Sequence, residues 1–394
     1  MPKLVFYYSR ENRTSVNALA AALDAAGIPG LELRFPGTRR DFAAEVLSAG
    51  PGSAAAVSFF TSQKRAAAEL ARELACSQAA LIAGGPHASA LPREALAMGF
   101  HYAVTGEGEA ALTELMRGLA AGRPARRGVV RGSPLASLDE FPSFPARLGL
   151  FGPVEITRGC PFACTYCQTS YLFGGRPRHR SVASVLQNIA ALLDEGMGDV
   201  RFITPDAFGY GSPDGRALNL PALRELLESA GALARRRRGK LFFGSFPSEV
   251  RPEHVTGETL ELAKRHVANR RLIMGAQTGS PRLLKAIRRG HTVEDILRAC
   301  GLCLEFRITP YFDFIFGLPG ETRADEKETE ALAEELAARG AIIHTHAFMP
   351  LPGTPLAGER GPGITRTARA FIERMESRGK AFGKWRTQKE LADD

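Results

Sequence analysis

Thr157-Arg158-Gly159-Cys160-Pro161-Phe162-Ala163-Cys164-Thr165-Tyr166-Cys167 is the stretch on which the reading of this chain turns. Three of the six cysteines in 394 residues fall between positions 160 and 167. Thiolates are the usual ligands of iron–sulfur clusters, and a cubane needs four iron ligands. A compact loop with three thiols satisfies three irons and leaves one open to a substrate. A structural zinc ion would want four protein ligands. His179 could serve as the fourth, but a C-x3-C-x2-C triplet matches zinc spacings poorly.

Working outward, the triplet follows an apolar strand-like run at 154–157. Downstream the pattern alternates between strands and helices. Strands are expected at 200–204, 241–243, 271–274, 311–316 and 342–348, and helices near 182–195, 222–236, 258–267, 292–306 and 324–339. Six such units over residues 153–355 form a partial (β/α)6 barrel. In α/β sheets ligands collect at the C-terminal ends of the strands, where the cysteine loop lies. Residues 356–394 read as a basic, helical tail.

Upstream, residues 1–122 also alternate. Short, nearly continuously apolar strands at 4–8, 31–34, 55–60, 80–83 and 102–104 are separated by helical stretches such as 15–26 and 63–76. Strands of this kind belong to a parallel sheet covered on both faces, so the N-terminal part is a doubly wound, Rossmann-like α/β domain. Residues 123–152, dense in proline, glycine and arginine, read as an inter-domain linker.

The chain is 44% hydrophobic and 24% charged, as globular domains are. No segment approaches the ~20 apolar residues of a membrane-spanning helix, and the N-terminus lacks a signal-peptide pattern. Six cysteines, three of them packed between 160 and 167, do not make the evenly studded disulfide framework of a small secreted protein, so a reducing, cytoplasmic location is expected. The formal charge is +9, in part from Arg235-Arg236-Arg237-Arg238. That run reads as a solvated helix end rather than a nucleic-acid contact. Cys300 and Cys303 sit on an apolar helix face and read as core residues, and Cys76, a lone helix residue, as packing.

The C-x3-C-x-aromatic-C pattern, with Tyr166 before the last cysteine, resembles the signature of the radical S-adenosylmethionine (SAM) superfamily. The resemblance implies a [4Fe–4S] cluster on Cys160, Cys164 and Cys167, with SAM on the open iron. It also implies an electron donor such as flavodoxin or ferredoxin. Later turns are similar to that family's. Phe202-Ile203-Thr204-Pro205-Asp206 closes the second strand, and Pro247-Ser248-Glu249-Val250-Arg251-Pro252 follows the third. Met274-Gly275-Ala276-Gln277-Thr278-Gly279-Ser280 resembles the glycine-rich strand end, and Asp313-Phe314-Ile315-Phe316-Gly317-Leu318-Pro319-Gly320-Glu321-Thr322 a further common segment. Tyr166, Asp206, Ser248, Glu249 and Gln277 are thereby expected to meet SAM. Gln277 stands where many members carry glutamate.

Gly84-Gly85-Pro86-His87-Ala88 after the fourth strand and Gly106-Glu107-Gly108-Glu109 after the fifth let a ligand approach the backbone. Directly before such a barrel, this domain resembles the cobalamin-binding domain of B12-dependent radical SAM proteins. The resemblance places Ser58, Thr61, Gly84, Gly85, Gly106 and Glu107 at a cobalamin site. The family's Asp-x-His-x-x-Gly motif belongs after the first strand, where Ser9-Arg10-Glu11-Asn12-Arg13-Thr14-Ser15 holds no histidine. Either cobalamin binds without histidine ligation or the domain holds no corrin. His87 reads as a turn support. The function implied first is a cobalamin-dependent radical SAM enzyme methylating an unactivated carbon of a small molecule. A cobalamin-independent, methylthiotransferase-like enzyme comes second, although residues 361–394 are too short and helical for an RNA-binding β-domain. A cluster or cobalamin sensor comes third.

Overall fold

In the first unit, residues that alternate along short apolar strands point to opposite helix layers. The computed structural model describes residues 1–393, which divide at Pro153/Val154 into two units. The strands β1 (Lys3–Phe6), β2 (Glu32–Arg34), β3 (Ala54–Ser58), β4 (Ala80–Gly84), β5 (Tyr102–Thr105) and β6 (Gly128–Arg131) form one parallel sheet, ordered β2-β1-β3-β4-β5-β6. Val5, Ala55, Val57, Leu81 and Ala83 pack on one side with Phe42, Val46 and Leu70. Leu4, Phe6, Ala56, Ile82 and Val104 pack on the other with Val16, Leu23, Leu112 and Met116. Burial on both faces accounts for the continuous apolar runs. The order reverses between β1 and β3, and ligand crevices open at such switch points.

The expected linker at 123–152 is corrected in part, because residues 128–131 supply the sixth strand. As a half-exposed edge strand flanked by arginine and proline it carries little apolar signal. The hydroxyl of Tyr102 donates to Ala125 O (2.8 Å) beside it. The expected helix at 63–76 ends at Glu73, which leaves Cys76 exposed in a turn rather than packed.

In the second unit the strands are β7 (Val154–Glu155), β8 (Thr157–Arg158), β9 (Arg178–His179), β10 (Asp199–Ile203), β11 (Lys240–Phe242), β12 (Arg271–Gln277), β13 (Thr309–Phe316), β14 (Ile342–Ala347) and β15 (Ala381–Gly383). β7, β10 and β11 form one parallel sheet, and β12 to β15 another. Between β11 and β12, Ile273 N–H donates to Gly244 O and Val250 N–H to Ile273 O, both at 2.9 Å, so the arc of parallel strands continues across the gap. β8 and β9 make a small antiparallel pair flanking the cysteine loop. All six expected barrel strands are present.

The C-terminal residues differ from the expected helical tail. They add β15 beside β14 between the helices Arg366–Ser377 and Trp385–Asp393. A three-residue strand is too short for periodicity to reveal. Buried Trp385 donates through Nε1 to Glu376 Oε1 (3.0 Å) and ties this segment down.

Candidate active site

The cysteine loop is held by its own backbone and by two arginines. Cys160 N–H donates to Gly174 O (3.1 Å), Cys167 N–H to Cys164 O (3.0 Å) and Thr165 N–H to Ile287 O (3.1 Å). Ala163 adopts the left-handed region at φ +48°, a conformation that costs a non-glycine residue and needs support. Ser170 and Tyr171 give it. Ala163 N–H donates to Ser170 Oγ (3.2 Å), Ser170 Oγ donates to Cys160 O (2.7 Å), and Tyr171 OH donates to Ala163 O (3.1 Å). The Phe162 ring lies under the guanidinium of Arg251 at 3.3 Å and near that of Arg216 at 5.1 Å. Such cation–π contacts fix the ring.

All three loop cysteines are free thiols. Among the described residues, the three ligating side chains whose donor atoms all lie within 4.8 Å of one another are Asp313, His344 and His346, so the three thiols are spread more widely. Zn–S bonds of ≈ 2.3 Å would draw tetrahedral sulfurs to about 3.8 Å. The three thiols are thus not gathered as one tetrahedral zinc ion would hold them. His179 is not a spare ligand either. Its Nδ1 meets Thr157 Oγ1 (2.9 Å) and Gly211 N–H, and its Nε2 meets Ser212 O (2.8 Å).

Burial raises the pKa of Cys160, and the neighbouring thiols add to the effect. Arg251 opposes that effect, and a second arginine, Arg289, lies against the loop. Its guanidinium is buried, donates from Nε and Nη2 to Gly275 O (3.3 and 2.9 Å), and reaches Cys164 Sγ through Nη1 at 3.8 Å. A Cβ on Gly275 would lie 2.2 Å from Gln277 Nε2 and 2.7 Å from Arg289 Nη2, so any side chain here would displace one of those two ends. The sequence reading missed Arg289, whose signal is no more than Arg288-Arg289-Gly290 in a turn.

The residues expected to meet SAM divide into two groups. Tyr166 packs beside Leu283, Ile287 and Ile315, and burial raises its pKa. Gln277 is buried at φ +74° with its amide beside Gly275. Glu249 is half-buried, and burial together with the Asp313 charge pushes its pKa up to about 6. None of these three side chains is tied up in a side-chain ion pair among the described residues. Asp206 and Ser248 are engaged within the protein. Asp206 takes His254 Nδ1 on one oxygen and Arg251 N–H (3.2 Å) on the other. Its partner charge overcomes burial and raises the pKa of His254. Ser248 Oγ is fully buried and donates to Ser245 O (2.8 Å). Both therefore shape turns. Cys300 and Cys303 are fully buried, with the Cys303 thiol pushed up to about 12 by burial, as core residues should be.

In the first unit, Asn12 stands in place of the missing histidine motif. Its Nδ2 donates to Tyr7 O (2.7 Å) and Ser58 O (3.1 Å), pinning β1 to β3. Ser58 Oγ shares a hydrogen bond with Ser15 Oγ (2.9 Å). Gly85 has φ +85°, and a Cβ there would lie 2.7 Å from Ser58 Oγ and 2.8 Å from Phe59 N. A Cβ on Gly84 would meet nothing within 4 Å. Gly85 therefore packs closely on Ser58 and Phe59 at the strand ends, while Gly84 borders open space. His87 is fully buried, its Nδ1 on Thr61 Oγ1 (3.2 Å) and its pKa lowered by burial, so it and Thr61 brace the loop. Gly106 N–H donates to Ser89 Oγ (3.0 Å). Glu107 is corrected: its carboxylate is buried and accepts Leu135 N–H (3.0 Å), which anchors the following segment.

Residues 154–333 match the family profile described as Radical SAM superfamily, and residues 11–116 match the B12 binding domain. The chain carries a B12-binding domain followed by a radical SAM domain. These two domains imply a [4Fe–4S] cluster, SAM and cobalamin as cofactors. Among curated proteins it is 29% identical over 245 residues to a tRNA-2-methylthio-N(6)-dimethylallyladenosine synthase of Pelobacter propionicus, covering 61% of this chain and 52% of that protein. An uncharacterized protein of Methanopyrus kandleri is 29% identical over 242 residues, 57% of this chain and 44% of that one. The chain thus spans about half the length of the curated relatives it matches. Among solved structures, the radical SAM methyltransferase TsrM of Kitasatospora setae, with cobalamin and [4Fe–4S] cluster bound, superposes at TM-score 0.70 and 20% identity over 90% of this chain and 77% of that one. The cobalamin-dependent SAM radical enzyme OxsB superposes at TM-score 0.66 and 17% identity, covering 87% and 53%. These likenesses show the fold. No helix of the described residues is long and apolar enough to cross a membrane.

Proposed function

We propose that this radical SAM protein methylates a carbon of a small-molecule substrate, with cobalamin as methyl carrier. The observation that carries the reading is the pairing of three free thiols on one loop of the radical SAM domain with a six-stranded B12-binding-type sheet in one chain. Cys160, Cys164 and Cys167 hold the cluster. When bound, the cluster and SAM supply one-electron cleavage of a sulfonium, and cobalamin supplies a transferable methyl group. The chain's residues do the rest. Arg251 opposes the effect of burial on Cys160, Arg289 donates to Cys164 Sγ, and both positive charges would offset the negative charge of a thiolate-ligated cluster. Glu249 and Gln277 offer SAM polar groups at the ends of the third and fourth barrel strands. Ser58, Gly84 and Gly85 cradle the corrin's substituents in the first unit. A one-electron donor such as flavodoxin or ferredoxin is the expected partner.

The identity to tRNA methylthio synthases favours a second reading, in which the first unit binds a macromolecular substrate and no corrin is present. Anaerobic reconstitution separates the two. A corrin spectrum that survives desalting, and transfer of a trideuteromethyl group from labelled SAM to a small molecule, support methylation. Iron without corrin, with label on RNA, overturns it. Cys164→Ala is expected to remove both cluster absorbance and SAM cleavage.

A further inference from the structure

The face of β13 and β14 that looks into the barrel carries Asp313, His344 and His346. Strand alternation puts Phe312, Phe314, Phe316, Ile343 and Thr345 in the core on the opposite face, where Phe316 meets Phe371 of a covering helix. Ile315, two residues beyond Asp313 and on its face, packs with Tyr166 of the cysteine loop. Asp313 and His344 are direct neighbours in the β13–β14 register, and their side chains are 17% and 28% exposed.

Two reasons for such a trio are a metal ion and a proton relay, and Gln388 decides between them. Gln388 Oε1 accepts Ala347 N–H (3.0 Å), which fixes the amide so that Nε2 donates to His346 Nδ1 (3.1 Å). His346 Nδ1 is therefore an acceptor, and in the neutral ring the proton sits on Nε2, facing Asp313 Oδ1 at 3.6 Å. A metal-bound imidazole donates its remote N–H to an acceptor. Here that position meets a donor instead, so His346 keeps its Nε2–H turned toward the carboxylate rather than its lone pair toward a metal. His344 Nδ1 donates to the same oxygen at 2.7 Å. Its ring is clamped by stacking on Phe382, with centroids 4.5 Å apart at 10°. Its Nε2 then bears a lone pair and has no hydrogen-bond partner among the described residues.

We propose that His344 is the proton acceptor for the substrate, oriented and charge-balanced by Asp313, with His346 and Gln388 holding the carboxylate in place. The proposal rests on the methyl-transfer reading and narrows its substrate to a molecule with an ionisable N–H or O–H group. In the step, the X–H bond breaks and its electron pair stays on X. The proton forms a bond to Nε2, and the Asp313 carboxylate balances the imidazolium. Asp313 is suited to this, because its two histidine partners overcome burial and hold its pKa below the ordinary carboxylate value.

The test has two parts, both on the full chain. The first uses diethyl pyrocarbonate, which acylates accessible, unprotonated imidazole nitrogens, with peptide mass mapping. His344 is expected to be modified and His346 spared, and Asp313→Asn should slow the modification several-fold. An unmodified His344 overturns the proposal. So does one tightly bound zinc per chain that persists in Cys164→Ala and disappears in His346→Ala. The second part uses the small-molecule acceptor found by trideuteromethyl transfer. His344→Ala should lose transfer on the order of 100-fold or more, with cluster absorbance retained and imidazole added to solution restoring part of the rate. Unchanged transfer, or a loss that imidazole does not relieve, overturns the proposal. If no corrin binds at all, the methylation reading fails, while the modification pattern of His344 still decides its state as a proton acceptor.

Discussion

Arg289 is the residue that links the cysteine loop to the strand ends, and its consequences are electrical. A cluster's reduction potential responds to nearby charge and to hydrogen bonds on its sulfur ligands. Arg289 supplies both to Cys164. Arg289→Gln is therefore expected to leave a reconstitutable cluster whose midpoint potential is more negative, read by EPR-monitored redox titration; an unchanged potential would show that this charge is screened. Glu249 makes the complementary case for protons. Its folded pKa of about 6 lies above the ordinary 4.5, so the fold favours its protonated form. That contribution to stability is present below about pH 4.5 and is lost as pH rises through about 6. Glu249→Gln should accordingly raise the melting temperature at about pH 7.5 and make little difference at about pH 4.5. A variant less stable than wild type at the higher pH would mean that the carboxylate is held by compensating partners.

Single elements decide whether each cofactor site is built. Gly85 sits where β4 enters its helix, with no room for a Cβ beside Ser58 and Phe59 and a positive φ besides. Gly85→Ala should abolish corrin retention after desalting and leave cluster absorbance intact, since the cysteine loop belongs to the other unit. β15 and the helix after it show the opposite kind of dependence. Trp385 is 3% exposed, and removing a buried tryptophan side chain costs about 3–5 kcal/mol. At about 2–4 °C per kcal/mol for a unit of this size, Trp385→Ala should lower the melting transition of residues 154–393 by roughly 10 °C. It should also free Gln388 and with it the tautomer of His346.

At the scale of the whole molecule, the physics that made some features legible left others hidden. Parallel strands buried on both faces write themselves as apolar runs, so β1 to β5 and the six barrel strands could be read off the chain. β6 and β15 are edge strands with exposed or very short segments, and neither alternation nor length distinguishes them from loop. The three cysteines were legible because thiolate spacing is itself chemical. His344 and His346 carry an i, i+2 pattern that marks one strand face, yet Asp313 lies on a different strand, and only the β13–β14 register brings them together. Asp206 and Ser248 went the other way, since the sequence cannot show that their polar atoms are already taken by neighbours. The division into two units with separate cofactors has a thermodynamic consequence. A ligand that binds a folded unit and not its unfolded chain stabilises that unit by mass action. Calorimetry of the reconstituted protein should therefore show two transitions. Cobalamin addition should raise the one belonging to residues 1–153, and cluster removal should lower the one belonging to residues 154–393. Were both ligands to move a single shared transition equally, the two units would unfold as one cooperative body, and the separate assignment of Gly85 and Trp385 effects would fall with it.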